Sequence, residues 1–350
     1  MKKVFIVGGT GMLGFATARA LADVGVPVVV SSRKKVDPLG DALKVHSDLI
    51  EVEQVDLLDS TRLREVFKKH DFEGIVLAAH THQYATKRAQ NNQIYFITLN
   101  CLELAREFNV RRVIVGGSMA VYGGLTPPLT ETAMFPPEVP DPAQADANLM
   151  VKFEVATRRA LEILTLDYRD SFQMGISVPP DTPLPEPNKL EVAILRAPLM
   201  FGPGYAALGS PLGVAAHVAA GRLPQLKGHI GYGGIPVDEA WKKMSFVPVN
   251  YVNDNAECIK LSMLADELPH SIYNISSGFS KSPRKQLEAF IAIRPERADR
   301  MGISPNDLVD EDIDSGFNSD RFEQDFGWRS PYTLESALTE YINWLEEHPF

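Results

Sequence analysis

The residues with the clearest chemical meaning form a glycine-rich segment near the start of the chain. It reads Gly8-Gly9-Thr10-Gly11-Met12-Leu13-Gly14 and follows the apolar run KVFIV. Between a strand and a helix, Gly8 permits a tight turn, Gly11 lets the backbone approach a diphosphate, and Gly14 allows the helix to pack on the strand. The helix N-terminus then directs backbone N–H groups at the phosphates. The segment predicts a dinucleotide-binding loop.

The end of the second predicted strand indicates which dinucleotide binds. An NAD site places Asp or Glu there, about 20 residues beyond the glycine loop, to hold the ribose diol. This chain reads Ser31-Ser32-Arg33-Lys34 at that point and has no carboxylate. Arg33 can offer a bidentate fork to a 2′-phosphate, with the Lys34 charge beside it. We therefore predict NADP(H) as the cofactor and assign Ser32, Arg33 and Lys34 to its binding; a solvated turn is the alternative interpretation.

A carboxylate follows the third predicted strand. Asp56, just before Leu57, has the place of an acceptor for the adenine amino group. Acidic residues also cap helices and stabilise turns, and this is the competing interpretation of Asp56.

These residues require a scaffold of alternating strands and helices, and the hydrophobic pattern supplies one. Short β-branched runs recur along the first two thirds of the chain and are separated by segments with helical periodicity. The predicted strands lie around Val4, Val28, Val55, Val76, Val115 and Ile194, and the predicted helices include Met12–Val24, Ser60–Lys69, Ile94–Phe108 and Ala147–Ile163. Near-continuous apolar strands between helices are typical of a parallel sheet covered on both faces. The predicted fold class is α/β, a Rossmann-type doubly wound parallel sheet.

Later segments predict a second, discontinuous domain for substrate binding. Residues 1–167, completed by 191–204 and 246–270, form the predicted NADP-binding domain. Residues 205–350 form most of a smaller cap. The segment 168–190 carries five prolines and is predicted to be an irregular excursion outside the sheet, because proline cannot join a central strand.

Composition limits the classes of partner. The 350-residue chain is 45% hydrophobic and 23% charged, with a net charge of −10, which argues against non-specific binding to nucleic acid or anionic membranes. Only two cysteines occur and neither has metal-ligand spacing, so we expect no metal site and a cytoplasmic location. No apolar stretch approaches the length of a membrane span. We expect a small-molecule substrate and leave a homodimer open.

Several later motifs, taken with the glycine loop, resemble the extended short-chain dehydrogenases, the NAD-dependent epimerase/dehydratase family. The likeness runs over nearly the whole chain. The motifs are Leu77-Ala78-Ala79, Ser118-Met119-Ala120-Val121-Tyr122-Gly123, Thr130-Glu131-Thr132, Leu195-Arg196 with Phe201-Gly202-Pro203-Gly204, Ile272–Gly278 and Phe326-Gly327-Trp328. The resemblance implies the Rossmann fold and adds further cofactor-binding positions. These are Thr10, Met12, Leu13, Leu57, Ala78, Ala79, His80, Lys152, Pro198 and Leu199.

The resemblance also implies a catalytic Ser, with Tyr and Lys spaced as YxxxK. Ser118 matches the serine, and Lys152 is the only lysine between Lys87 and Lys189. The position four residues before Lys152 is Asn148, and no tyrosine occurs between Tyr122 and Tyr168. An asparagine amide hydrogen-bonds but does not shuttle a proton near neutral pH. The predicted active site is therefore atypical.

The loop after the fourth strand contains candidates for the missing proton donor. His82 and Tyr84 follow His80 there, on a loop expected to face the nicotinamide. The alternative is that these side chains only make local hydrogen bonds.

Three functions are compatible with this sequence. The first is an NADP(H)-dependent oxidoreductase or epimerase/dehydratase-like enzyme, acting on a carbonyl or hydroxyl of a small organic substrate with a non-standard proton donor. The second is a non-redox isomerase, cyclase or lyase on the same scaffold. The third is a redox sensor that binds NADP(H) without turnover.

Overall fold

The structure is a computed structural model that describes residues 2–34, 38–79, 87–135, 149–169, 190–204, 210–231, 235–243, 248–312 and 314–348. Within its helices, the side chains at 87–88, 90–91 and 149–153 lie outside the description. The strands are β1 (Lys3–Val7), β2 (Val28–Ser32), β3 (Ile50–Gln54), β4 (Phe72–Leu77), β5 (Arg112–Ser118), β6 (Glu191–Ala197), β7 (Leu199–Phe201), β8 (Val249–Tyr251) and β9 (Ile272–Asn274).

The helices alternate with these strands through the first half of the chain and dominate the last third. They are α1 (Met12–Ala22), α2 (Pro38–His46), α3 (Ser60–Lys69), α4 (Lys87–Glu107), α5 (Leu149–Arg169), α6 (Pro211–Ala219), α7 (Val237–Lys243), α8 (Val252–Leu264), α9 (Pro283–Ile293), α10 (Ala298–Met301), α11 (Asp320–Phe326) and α12 (Leu334–Glu347).

Seven strands form the central sheet, in the order β3-β2-β1-β4-β5-β6-β9. The pairings β2–β3, β1–β2, β1–β4 and β4–β5 are all parallel. In register, Val7 at the end of β1 lies beside Leu77 at the end of β4. The residues that follow these strands therefore emerge at one edge of the sheet. The predicted α/β fold with a doubly wound parallel sheet is confirmed.

The sheet forms because its inner strands are apolar on both faces, as burial between helices requires. Val4, Phe5, Ile6 and Val7 of β1 are fully buried, and every residue of β2 is buried. On one face Phe5 packs edge-on against Phe67 of α3, with ring centroids 5.5 Å apart. The predicted helix Ser60–Lys69 is observed as α3: the Asp59 side chain caps its start, and its apolar face is buried.

Two compact units make up the chain. The first contains Met1–Gly117, Val155–Leu195 and Glu257–Tyr273. The second contains Ser118–Glu154, Arg196–Ala256 and Asn274–Phe350. The boundaries predicted above and the substrate-binding role of a cap stay predictions. The proline-rich excursion stays one too, because 170–189 lie outside the described residues.

A buried arginine stabilises the first unit near one end of β5. Arg112 is 1% exposed and pairs with Glu191 of β6 through its Nε at 2.7 Å and its Nη2 at 2.6 Å. Its Nη1 donates to the carbonyl oxygens of Ser262 at 2.7 Å and Ala265 at 2.6 Å. Ser262 lies in the last turn of α8 and Ala265 directly follows the helix, and the partial negative charge at this helix end favours a cation. One guanidinium therefore joins β5, β6 and α8.

The second unit contains a helix, α6, that is buried along nearly its whole length. In α6 all eight residues from Leu212 to Ala219 are buried, and His217 is the polar one among them. Ser210 caps the start of α6, and its Oγ accepts the Gly213 N–H at 3.0 Å. No helix in the described part of the chain is long and apolar enough to cross a membrane.

Candidate cofactor-binding site

The backbone conformation of the glycine loop depends first on Gly8. Its φ is +78°, which disfavours any residue with a side chain. A Cβ at this position would lie 2.7 Å from the Cα of Ala79, just after β4. The Gly8 carbonyl also accepts the Gly11 N–H at 2.9 Å. The loop therefore lies directly against the end of the fourth strand.

Gly9 and Gly14 are required by packing inside the first unit. A Cβ on Gly14 would lie 2.3 Å from the Gly8 carbonyl oxygen, and a Cβ on Gly9 would lie 2.3 Å from the Cβ of Val30 in β2. Atoms do not approach so closely, so any larger residue would displace α1 from the sheet.

Gly11 differs from these glycines because the packing around it leaves space for a small side chain. It is exposed, its φ is −86°, and a Cβ there would meet only one atom, the Gly8 oxygen at 3.2 Å. It is also the N-cap of α1 and provides no side-chain acceptor for the N–H groups of the first turn, which contains no acidic residue. Those N–H groups can bind an anion. The predicted approach of a diphosphate to this backbone would account for a glycine at this position.

The end of β2 and the two residues after it carry two hydroxyls and two cations, and one of the hydroxyls contacts the glycine loop. Ser31 is 3% exposed and its Oγ accepts the Gly8 N–H at 2.9 Å. Ser32 is 4% exposed and its Oγ accepts the Lys34 N–H at 3.2 Å. Arg33 and Lys34 are exposed. The chain thus presents positive charge where NAD-specific sites have a carboxylate.

A carboxylate on the neighbouring strand does not take that place. Glu53 of β3 lies opposite Ser31 in the parallel register. It pairs with Lys69 and lies 3.0 Å from Nε2 of His70. Desolvation by itself raises the pKa of Glu53, but these two contacts together outweigh it and lower that pKa. Glu53 is thus already bound within the protein.

Asp56 and Leu57 lie in the turn that follows β3. Oδ1 of Asp56 accepts the Leu58 N–H at 3.0 Å, and the Asp56 carbonyl accepts the Asp59 N–H at 3.0 Å. Leu57 is buried, and its carbonyl accepts Nδ2 of Asn100 at 3.0 Å. Asp56 thus has the local turn role; its place as an adenine acceptor stays a prediction.

The predicted residues after β4 are described only in part. The Ala78 N–H donates to the Val7 carbonyl at 3.0 Å and extends the pairing of β1 with β4. His80, His82 and Tyr84 lie outside the described residues, as does Asn148 of the catalytic set. Lys152 lies in α5, and its side chain is outside the description.

Ser118 belongs to the second unit and begins a single 3₁₀ turn, Met119–Tyr122. Its Oγ accepts the Ala120 N–H at 3.1 Å, so the oxygen has a fixed partner while the O–H remains available as a donor. Among the other predicted positions of this unit, Pro198 is buried, and Leu199 is 42% exposed at the start of β7.

Tyr122 is held by a buried polar network that sequence reasoning missed. Its hydroxyl donates to Oδ1 of Asn274 at 2.7 Å and accepts from Nη1 of Arg196 at 2.7 Å. The Asn274 backbone N–H donates to Glu131 at 3.0 Å. Burial raises the pKa of Tyr122, and the tyrosine is only 3% exposed. Its burial and its two hydrogen bonds give this phenol a structural role.

The sequence comparisons agree with this geometry. The model of the NAD dependent epimerase/dehydratase family matches residues 4–148. This part of the chain is therefore similar to the extended short-chain dehydrogenases. The mouse UDP-glucose 4-epimerase is 28% identical over 136 residues, which cover 35% of this chain and 39% of the mouse enzyme. The Caenorhabditis elegans UDP-glucose 4-epimerase is 20% identical over 375 residues, which cover 99% of this chain and 98% of that enzyme.

Solved structures share the fold at low identity. A UDP-glucose-4-epimerase from Stenotrophomonas maltophila, with bound NAD and formylated UDP-arabinopyranose, superposes with a TM-score of 0.72 at 17% identity and 98% coverage of both chains. A dTDP-glucose 4,6-dehydratase from Bacillus anthracis, in complex with NAD, gives a TM-score of 0.68 at 16% identity and covers 99% of this chain and 97% of that one.

Proposed function

We propose that this protein is an NADP(H)-dependent oxidoreductase or epimerase/dehydratase-like enzyme that acts on a carbonyl or hydroxyl of a small organic substrate. The proposal rests on one observation in the first unit: the glycine loop is hydrogen-bonded to the segment Ser31–Lys34. The loop leaves an open backbone at Gly11, and the segment presents Arg33 and Lys34 where a ribose carboxylate would stand.

The residues of the loop fit a dinucleotide. Gly11 and the first turn of α1 would hold the diphosphate through backbone N–H groups, and the Arg33 fork would pair with a 2′-phosphate. The bound nicotinamide would supply hydride exchange with a substrate carbon. Similar solved enzymes bind NAD, so the preference for NADP(H) rests on the segment after β2 alone.

On the substrate side, Ser118 is the group whose local geometry is known. Because its oxygen accepts the Ala120 N–H, its own proton can be donated to a substrate oxygen. Asn148 would orient the substrate through its amide, and His82 or Tyr84 would carry the proton that the usual tyrosine carries. Lys152 would bind the nicotinamide ribose.

The first experiment is calorimetric titration of the full chain with NADPH and with NADH. We expect NADPH to bind about ten- to a hundredfold more tightly, because a charge-assisted hydrogen bond contributes about 1.5–3 kcal/mol. Arg33→Ala should remove most of this preference and leave NADH binding nearly unchanged. Equal affinity in the wild type, or preference for NADH, would refute the NADP(H) assignment.

The second experiment incubates the NADPH-bound protein with a panel of carbonyl compounds, including UDP-4-keto sugars, and follows the absorbance band of the reduced nicotinamide. Loss of that band with one substrate class supports the enzyme. An asparagine at position 148 does not shuttle a proton near neutral pH, and this favours one alternative function, a redox sensor. Such a sensor would bind NADPH tightly and leave the absorbance band unchanged with every substrate.

We further propose a cytoplasmic homodimer. Phe96 of α4 is 57% exposed and Ile163 of α5 is 70% exposed. The two helices are neighbours, because the Tyr168 hydroxyl at the end of α5 donates to Glu103 of α4. An apolar pair on adjacent helices suits an interface. The cysteines support a reducing compartment, since both are buried.

A further inference from the structure

Two adjacent serines at the end of β2 hold different parts of the cofactor site. Both side chains are buried, Ser31 to 3% and Ser32 to 4% exposure. Successive strand residues point to opposite faces of a sheet, so their hydroxyls reach different neighbours. Neither hydroxyl belongs to the glycine loop or to the pair of exposed cations, yet each bonds to one of them.

The Ser31 side chain hydrogen-bonds to the backbone of the glycine loop. Its Oγ accepts the N–H of Gly8 at 2.9 Å and lies 3.4 Å from the Ile6 carbonyl, to which it can donate. Gly8 is the residue on which the loop depends, because its carbonyl accepts the Gly11 N–H and its backbone packs directly against Ala79. The Ser31 hydroxyl therefore fixes the peptide plane from which Gly11 and the start of α1 are oriented.

Ser32 holds the cationic segment. Its Oγ accepts the N–H of Lys34 at 3.2 Å, across Arg33. A serine that accepts the N–H two residues ahead closes a local turn and restricts the backbone of the residue between them. The Ser32 hydroxyl thereby limits the directions in which the Arg33 side chain leaves the end of β2.

We propose that Ser31 and Ser32 are positioning residues with separate tasks: Ser31 orients the diphosphate-binding loop that both NADPH and NADH use, and Ser32 orients the cationic turn that only the 2′-phosphate of NADPH uses. This proposal rests on the proposed dinucleotide function. In this proposal Ser32 does not contact the cofactor directly; it orients Arg33 and Lys34, which do.

The test is calorimetric titration of NADPH and NADH into the full chain carrying Ser31→Ala or Ser32→Ala. We expect Ser31→Ala to weaken both cofactors about tenfold, the change produced by losing one hydrogen bond that orients the loop. We expect Ser32→Ala to weaken NADPH severalfold and leave NADH within twofold of the wild type. Ser31→Thr, which keeps a hydroxyl, should bind both cofactors as the wild type does.

Thr165→Val is the matched control. Thr165 is fully buried in α5 and its Oγ1 donates to the Leu161 carbonyl at 2.6 Å, so the variant loses a buried hydroxyl of the same unit whose hydrogen bond involves neither segment. Its affinities should stay within twofold of the wild type. If Ser31→Ala fails to fold, as judged by circular dichroism, Ser31→Cys provides the same comparison with a weaker acceptor.

The outcomes separate this proposal from the one on which it rests. A wild type that prefers NADH overturns the NADP(H) assignment, while equal weakening of both cofactors by Ser31→Ala still supports the role of Ser31. Unchanged affinities in Ser31→Ala, or a loss confined to NADPH, overturn that role even when NADPH is the preferred cofactor. Equal weakening of both cofactors by Ser32→Ala overturns the role of Ser32. A wild type that binds neither dinucleotide overturns both proposals.

Discussion

The buried histidine of α6 should make the stability of the protein depend on pH. His217 is 5% exposed, and its Nε2 has no hydrogen-bond partner within the described structure. Burial, followed by the nearby Arg222 charge, lowers the pKa of His217 from 6.5 to about 4. The unfolded chain therefore binds a proton near pH 6.5 that the folded chain does not bind until about pH 4.

The sign and the size of the effect follow from this difference. Because the unfolded state binds more protons in this window, the free energy of unfolding falls as the pH is lowered from 6.5 towards 4. One proton changes that free energy by about 1.4 kcal/mol per pH unit, so the whole window corresponds to roughly 3 kcal/mol. Between pH 6.5 and 5 the loss should be about 2 kcal/mol.

The assay is urea unfolding of the wild type and of His217→Leu at pH 7, 6 and 5. Leucine cannot titrate, so the stability difference between wild type and variant should move by about 2 kcal/mol in favour of the variant across this range. His229→Leu, elsewhere in the same unit, controls for the loss of a histidine. A wild type and a His217→Leu variant with parallel pH profiles would refute the reasoning.

Three further predictions concern packing, charge and assembly. Gly14→Ala should lower the melting temperature by several degrees because its Cβ would meet the Gly8 oxygen at 2.3 Å, whereas Gly11→Ala should keep the melting temperature and weaken dinucleotide binding in calorimetry. Arg112→Met should cost about 1–3 kcal/mol in urea unfolding, because the Ser262 and Ala265 carbonyls lose their donor while Glu191 keeps Arg111 at 3.2 Å; an unchanged free energy of unfolding would contradict this account. Phe96→Glu should convert a dimer to a monomer in sedimentation velocity, and an unchanged sedimentation coefficient would count against this interface.

The parallel core could be predicted from the sequence because its signals are local. Alternation of β-branched runs with helical segments anticipated the order of the strands through β6, and the predicted helix Ser60–Lys69 is confirmed residue for residue. Asp59 precedes this helix and its Oδ1 accepts the Arg62 N–H at 2.9 Å, a capping signal that is visible in the sequence. The start of α4 differs from the prediction. The helix was predicted to begin at Ile94 but begins at Lys87, and its polar first turns have no apolar periodicity from which the sequence could show them.

By itself, the sequence determined the doubly wound fold, the glycine loop and the absence of a carboxylate after β2, since each depends on residues near one another in the chain. The tertiary structure decided which buried polar groups meet. The Gly8 amide donates a hydrogen bond to Ser31, 23 residues away in the chain, and the Tyr122 hydroxyl donates one to Asn274, 152 residues away. A buried polar atom needs a partner, but strand order and packing determine its identity. The glycine loop shows the same difference between sequence and structure. The spacing of its glycines predicts a phosphate-binding loop. Only the packed structure shows that Gly14 is required by the fold, while the space at Gly11 is open.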